Sequence, residues 1–195
     1  MASNEQRTAR TRAALIKAAR AEFAANGYAD AATNAIVTRA GATRGAMYHH
    51  FKDKLALFDA VVEAEDARLA ALIDSETVDM PDAYKSLMHG IGIYLDNATS
   101  PATRRILMLD GPSALGWKRW REIQSHNSLR TLRDGLDAAQ AQGTLSTSLS
   151  VPVAASLFAA ALDEAVHVIA EAKNRKAART DAINAAEAMM QGMRA

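Results

Sequence analysis

Apolar positions in the first third of the chain recur at three- and four-residue spacing, and small polar residues or glycines punctuate them. Leu15, Ala19 and Phe23 form one such stripe, which Gly27 stops. Ser3, with Gln6 three residues on, has the spacing of a capping box. This predicts a first helix from about residue 4 to 26. Thr33 is placed to cap a short second helix with Ile36, Val37 and Ala40 on its buried face, and Gly41 ends it by taking the left-handed conformation without penalty. Thr43 caps a third helix that runs from Arg44 to His50 or Phe51, because Asp53 stands as the N-cap of a long fourth helix through Leu57, Val61, Leu69 and Leu72. Two short helices separated by Gly41, Ala42 and Thr43 constitute a helix-turn-helix.

The same periodicity continues to the C-terminus. After a loop over SETVDMPD, a helix with Tyr84, Leu87, Met88, Ile91 and Leu95 is expected from Pro81 to near Asn97. Ser100 and Pro101 form a cap and first-position pair for the next, which passes Ile106 and Leu109 and is interrupted by Asp110, Gly111 and Pro112. One long helix should span Trp117 to Gln142 and stop at Gly143. Another, capped by Ser150, should cover about 151–172, and a last one about 177–193. No convincing alternating run and no internal repeat intervenes. The fold class predicted is all-α: an N-terminal three-helix helix-turn-helix domain (1–52) and a C-terminal helical bundle that dimerises (53–195).

Composition agrees with the periodicity. Of the 195 residues, 49% are hydrophobic but only 5% aromatic, and alanine, the best helix former, dominates the apolar share. The chain has no cysteine, which removes disulfides, thiolate metal sites and cysteine nucleophiles together. No apolar core of signal-peptide length begins it, and no run reaches the roughly 18 uninterrupted apolar residues of a spanning helix, so a cytoplasmic protein without membrane contact is expected. The net charge of +1 is uninformative as a whole. Residues 1–54, however, carry nine Lys or Arg against four acids, and the remainder 14 against 18. A basic head on an acidic body implies that the head alone meets a polyanion.

The stretch TNAIVTRAGATRGAMYHHFKDKLALFDAV, from Thr33 to Val61, resembles the signature of the tetracycline-repressor (TetR) family of regulators. It does so in the Thr33 start, the Ala40-Gly41 turn, the short helix ending Tyr48-His49-His50-Phe51, and Lys54 at the head of the fourth helix. About 50 residues carry the likeness; beyond them the chain resembles the family in size and helical layout. Ala42 stands where valine is usual, and Ala46 where threonine is frequent, so one hydroxyl contact to DNA is missing. Leu107 to Trp120 (LMLDGPSALGWKRW) is similar to a segment found in a subset of such regulators. The resemblance implies a ligand-responsive repressor that binds a palindromic operator in double-stranded DNA as a homodimer.

On a helix starting at Arg44, Met47 and Phe51 face inward, toward Ile36, Val37 and Phe23, and Arg44, Gly45, Tyr48 and His49 face outward. Arg44 is the natural base reader, because its planar fork matches guanine O6 and N7. Ala46 can touch a thymine methyl, and Gly45 lets backbone approach DNA closely. Tyr48 and Lys54 are expected at phosphates, with Thr33 and Thr43 at helix starts nearby. His49 and His50 point about 100° apart on a helix and so are poorly placed to share a metal ion; Asp163 and His167 are better spaced, but no third ligand is evident. No metal and no cofactor are expected.

In the body, the helix from Val151 is apolar on more than one side, and the last helix has similar character. By resemblance the two pair with their twofold mates, which places Leu157, Ala161, Val168, Ile183 and Met190 in a dimer interface; residue pattern alone would also allow the core of a monomer. An effector pocket is expected between the fourth and eighth helices, with Met88, Met108, Trp117 and Trp120 as lining and Asp110 or His126 as polar anchors. Two other functions compete: a nonspecific architectural DNA-binding protein, against which the acidic body argues, and a helical enzyme. For the enzyme no nucleophile elbow, phosphate-cradling loop or paired acids at plausible spacing is found.

Overall fold

The computed structural model describes residues 4–195, so the expected capping residue Ser3 lies outside it. Helix follows helix: α1 (Asn4–Asp30), α2 (Thr33–Ala40), α3 (Arg44–His50), α4 (Lys54–Thr77), α5 (Ala83–Ala98), α6 (Pro101–Arg104), a π-helical turn (Arg105–Asp110), α7 (Gly111–Leu115), α8 (Trp117–His126), α9 (Ser128–Ala141), α10 (Val151–Glu171) and α11 (Arg175–Gln191). Extended pairing among the described residues is confined to an isolated antiparallel bridge between Leu145 and Arg194. The chain forms two compact units. One comprises the described part of Met1–Glu65 with Pro101–Ile123; the other comprises Asp66–Ser100 with Gln124–Ala195.

In the first unit α1, α2 and α3 wrap a core of Phe23, Ile36, Val37, Met47 and Phe51, all buried. Phe58 of α4 meets Phe23 edge-on at 4.9 Å between ring centroids and Tyr28 at 4.8 Å. Gly27 (φ 78°, ψ 169°) breaks the regular course of α1 where the sequence places the stop, and a last turn continues to Asp30. Thr33 is the first helical residue of α2 and not its cap; Ala32 holds the cap position with no side chain to offer, and its amide donates to Glu22 Oε1 instead. Gly41 (φ 62°, ψ 30°) closes α2 as expected, and its amide bonds back to Thr38 O. The Thr43 hydroxyl accepts the Ala46 amide at 3.1 Å, and the Asp53 carboxylate accepts that of Ala56 at 2.7 Å.

Asp110-Gly111-Pro112 does not interrupt its helix. The chain widens into a π turn over Arg105–Asp110 and resumes α-helix with Pro112 in its first turn, where proline's missing N–H costs nothing. The break falls later, at Gly116 (φ 78°). Gly111 is needed for space and not for its backbone angles: a Cβ there would lie 2.9 Å from Ile106 O and 3.0 Å from Trp120 Cδ1. The Trp120 indole N–H in turn donates to Leu107 O at 2.7 Å.

The second unit is a bundle of α5, α9, α10 and α11 with the C-terminal half of α4. The expected long helix 117–142 is two helices, because Asn127 (φ −124°, ψ −102°) leaves helical space and the Ser128 amide turns to the buried Asp66 carboxylate. Asp82 caps α5, and the Gln142 amide clasps the same corner by accepting from Ala83 N and donating to Pro81 O, each at 2.9 Å. Ser150 holds the cap position of α10 without a side-chain bond. Asn174 caps α11 by accepting the Ala177 amide, and Arg179 of α11 pairs with Asp96 of α5. Helix α10 is by length and composition apolar enough to cross a membrane; here Ala155, Phe158, Leu162, Val166 and Ile169 face the bundle.

Gly111→Ala is expected to destabilise the fold by about 1–3 kcal/mol, since the added methyl meets a backbone carbonyl that cannot rotate away. Thermal unfolding would show a lowered midpoint, and an unchanged midpoint would mean that the π turn has room to relax.

Candidate functional site

The exposed face of α3 follows from which of its residues the core takes. Met47 is wholly buried and Phe51 nearly so, which turns Arg44, Gly45, Tyr48 and His49 to solvent, with Ala46 at the margin. Arg12 of α1 lies over the Phe51 ring at 5.2 Å and ties the end of α3 to α1. The Arg44 guanidinium sits 5.7 Å from the Tyr48 ring centroid, so one side chain restrains the other. Thr43 is exposed beside them. Its oxygen caps the helix, and its hydroxyl proton is left to be donated outward. Thr33, half-buried at the start of α2, is the least presented of the group.

Lys54 departs from expectation. Its ammonium donates to Ala29 O at 2.9 Å and Ala31 O at 3.1 Å, and it stands 4.9 Å over the Tyr28 ring. The Ala29 carbonyl belongs to the end of α1, whose last C=O groups have no partner within the helix, and Ala31 lies just beyond it. Lys54, the first residue of α4, thus engages two of its three N–H donors within the head.

The residues expected at an effector pocket are not brought together. Asp110 accepts the Tyr28 amide at 2.8 Å, an N–H that the break at Gly27 leaves available. A Cβ on Gly27 would lie 3.4 Å from that carboxylate, so the glycine serves both the turn and the approach. Met108 is buried in the first unit, Trp120 is buried with its indole bonded, and Trp117 lies 67% exposed with its ring 5.0 Å from that of Trp120. Met88 borders a groove with Tyr84, Ile183 and Arg194, and His126 is half-buried at the end of α8.

A cavity of about 220 Å³ lies elsewhere, within the second unit. It is bounded by Ile73 and Thr77 of α4, Leu87, Ile91 and Tyr94 of α5, Leu129 and Leu132 of α9, and Leu162 and Asp163 of α10. Tyr94 donates its hydroxyl to Asp163 Oδ1 at 2.5 Å across the α5–α10 contact. At the edge Arg130 bridges Asp74 (2.6 Å) and Asp134 (2.8 Å), whose hydrogen bonds hold its guanidinium above its usual range. The helices were legible in sequence except for the division of α8 from α9. The lining was not, because periodicity says that Leu87 and Leu162 are inward without saying that a gap separates them.

Of the expected interface residues, Leu157 (67% exposed) and Val168 (53%) stand outward on α10 together with Val153. Ala161 and Ile183 are half-buried. Met190 is wholly buried within its own protomer and is a core residue.

An exposed basic and aromatic helix set on a three-helix core defines a helix-turn-helix DNA-binding regulator. Comparison with known proteins agrees. Residues 15–61 match the model of bacterial regulatory proteins of the tetR family, and residues 84–193 that of the tetracyclin repressor-like C-terminal domain. The chain is 30% identical over 152 residues to the HTH-type transcriptional regulator SrpR of Pseudomonas putida, covering 76% of this chain and 70% of that protein. It is 37% identical to the HTH-type transcriptional repressor Rv1474c of Mycobacterium tuberculosis over 37% of this chain and 39% of the relative. A TetR-family transcriptional regulator from Pectobacterium atrosepticum superposes with a TM-score of 0.81 at 30% identity, covering 99% of this chain and 98% of that one. The chain belongs to the TetR family of transcriptional regulators. It is a regulator and not an enzyme.

If Lys54 is a structural residue, Lys54→Met should lower the melting temperature, since two charge-assisted hydrogen bonds are each worth about 1.5–3 kcal/mol. The slope of log affinity against log salt should stay unchanged. Loss of a phosphate contact would instead flatten that slope by about 0.9.

Proposed function

We propose that the protein is a ligand-responsive repressor that occupies a palindromic operator as a homodimer, with DNA reading in residues 1–52 and sensing and dimerisation in 53–195. The observation that carries the reading is the presented face of α3: Arg44, Gly45, Tyr48 and His49 are all exposed while Met47 beneath them is sealed in the core. Such a helix enters a major groove with its first residues at base edges. Arg44 reads guanine, Ala46 borders a thymine methyl, Tyr48 and Thr43 bond phosphates, and Thr33 adds the start of α2. The protein works where its DNA is, in the cytoplasm.

Two such heads must reach half-sites one helical turn apart, and the outward row Val153, Leu157 and Val168 on α10 is suited to hold them. An apolar row of this kind on an otherwise polar surface is costly in water and is relieved by a second copy. Ala161 between them permits close approach. The cavity bounded by α4, α5, α9 and α10 is the effector site, and the effector is a small molecule because the volume admits nothing larger.

Arg44→Ala should reduce discrimination among operator variants at one base position by the roughly 1–3 kcal/mol of a bidentate contact while leaving binding to scrambled DNA nearly unchanged. Base preferences selected from random DNA would measure this, and an unaltered preference would displace α3 from the groove. Leu157→Glu should shift sedimentation from dimer to monomer and bring operator affinity to the nonspecific level, because the two heads would no longer be linked. A variant that stays dimeric would move the interface off α10.

A further inference from the structure

We propose that the effector is an uncharged hydrogen-bond donor: a single-ring alcohol or phenol whose hydroxyl is received by the side-chain oxygens of Thr77 and Thr131. The proposal rests on the reading of the cavity as the effector site and deepens it. Most of the wall is apolar, with Ile73, Leu87, Ile91, Leu132 and Leu162 contributing to it. A polar end lies where α4 meets α9, because Arg130, next in sequence to Thr131, bonds Asp74, which stands one turn before Thr77. Both threonines are half-buried and line the space. Its volume of about 220 Å³ has room for one ring with a short substituent, since a cavity of roughly 150 Å³ already holds benzene.

The protons of the two threonine hydroxyls are already committed. Thr77 Oγ1 donates to Ile73 O at 2.8 Å, with Asp74 O at 3.5 Å, and Thr131 Oγ1 donates to Ser128 O at 2.8 Å. A hydroxyl has one proton and two lone pairs, so each threonine, its proton spent on its own helix, has only an acceptor left to offer. The Thr77 methyl is turned to α5, where it lies 3.8 Å from the place a Cβ on Gly90 would take. A ligand at this end must therefore bring the donor. An ammonium or amidinium would also bring one, but it would come up against the Arg130 guanidinium, which Asp74 at 2.6 Å and Asp134 at 2.8 Å hold there. An anion would meet those carboxylates themselves, and among the described residues that line the cavity there is no lysine, arginine or histidine to receive it. Asp163, the remaining carboxylate of the lining, is engaged by Tyr94. An uncharged hydroxyl meets no like charge and leaves its ring to the leucines and isoleucines.

The test uses the full-length protein near neutral pH and four probes titrated by calorimetry: benzyl alcohol, benzyl methyl ether, benzylamine and benzoate. The ether keeps the ring and the oxygen but has no proton to donate. Benzyl alcohol is expected to bind at least roughly threefold more tightly than each of the others, the fold-change of one neutral hydrogen bond. The double variant Thr77→Val, Thr131→Val keeps the branched shape and removes both acceptors; it should bring benzyl alcohol down to the affinity of the ether and leave the ether nearly unchanged. Ala159→Leu, which fills the cavity from α10, should abolish binding of both. An alcohol that binds no more tightly than the ether, benzylamine or benzoate overturns the uncharged donor and leaves the cavity as a sensor site, and so does an advantage over the ether that survives the double variant. If no probe binds, or if binding survives Ala159→Leu, the cavity is not the effector site and both readings fall together.

Discussion

A single buried carboxylate constrains the first unit. Glu65 in the middle of α4 is 1% exposed and paired with Arg20 of α1, which bonds both its oxygens at 2.5 and 2.9 Å, while the Thr103 hydroxyl of α6 donates at 2.6 Å. A charge taken out of water at this depth is tolerated only when its partners are in place. Helices distant in sequence must therefore meet at one point, and the pairing in turn holds the Arg20 guanidinium above its usual range. Nearer the surface Arg119 of α8 grips Asp59 with two bonds of 2.8 Å. Two helices, α1 and α8, are thus fastened to the first half of α4 by ion pairs and α6 by a hydroxyl hydrogen bond, on top of the apolar contacts of Phe23 and Phe58.

This arrangement explains why polar residues in the head divide into two sets with opposite duties. Glu65, Lys54 and Asp110 look inward, toward the Arg20 guanidinium, the carbonyls of Ala29 and Ala31 at and just beyond the end of α1, and the amide after Gly27. Arg44, Tyr48 and His49 look outward because α3 is only seven residues long and has one buried position, Met47, to orient it. Residue type does not separate the two sets. A lysine and an arginine ten positions apart, both in a DNA-binding motif, differ in role because one lies beside a helix end and the other over solvent.

In the second unit, close contact and empty space lie side by side. A Cβ on Gly90 would approach Ile73 Cγ2 to 3.2 Å, and one on Gly135 would approach Leu87 Cδ1 to 2.9 Å, so α5 lies tight against α4 and α9 at those two points. Both glycines also border the cavity. Helices drawn together at glycines but held apart elsewhere by leucines leave a gap that interiors normally do not tolerate.

Local information determined the helices, their capping at Thr43 and Asp53, the stops at Gly27, Gly41 and Gly143, and the inward and outward faces of α3, because each depends on residues within a turn or two. The helix-turn-helix was legible for the same reason, since its whole geometry lies within a short contiguous segment. What tertiary structure alone decided were matters of long range. Asp110 meets Tyr28 and Lys54 meets Ala29 and Ala31 across loops that no periodicity describes. The break at Asn127 answers to Asp66, and the π turn answers to Trp120. Met190 is core and Leu157 is surface although both sit in apolar stripes, because a stripe records that a residue will be covered and not by which partner. The cavity is the furthest from sequence of all, since its walls come from four helices and its existence depends on how closely they approach.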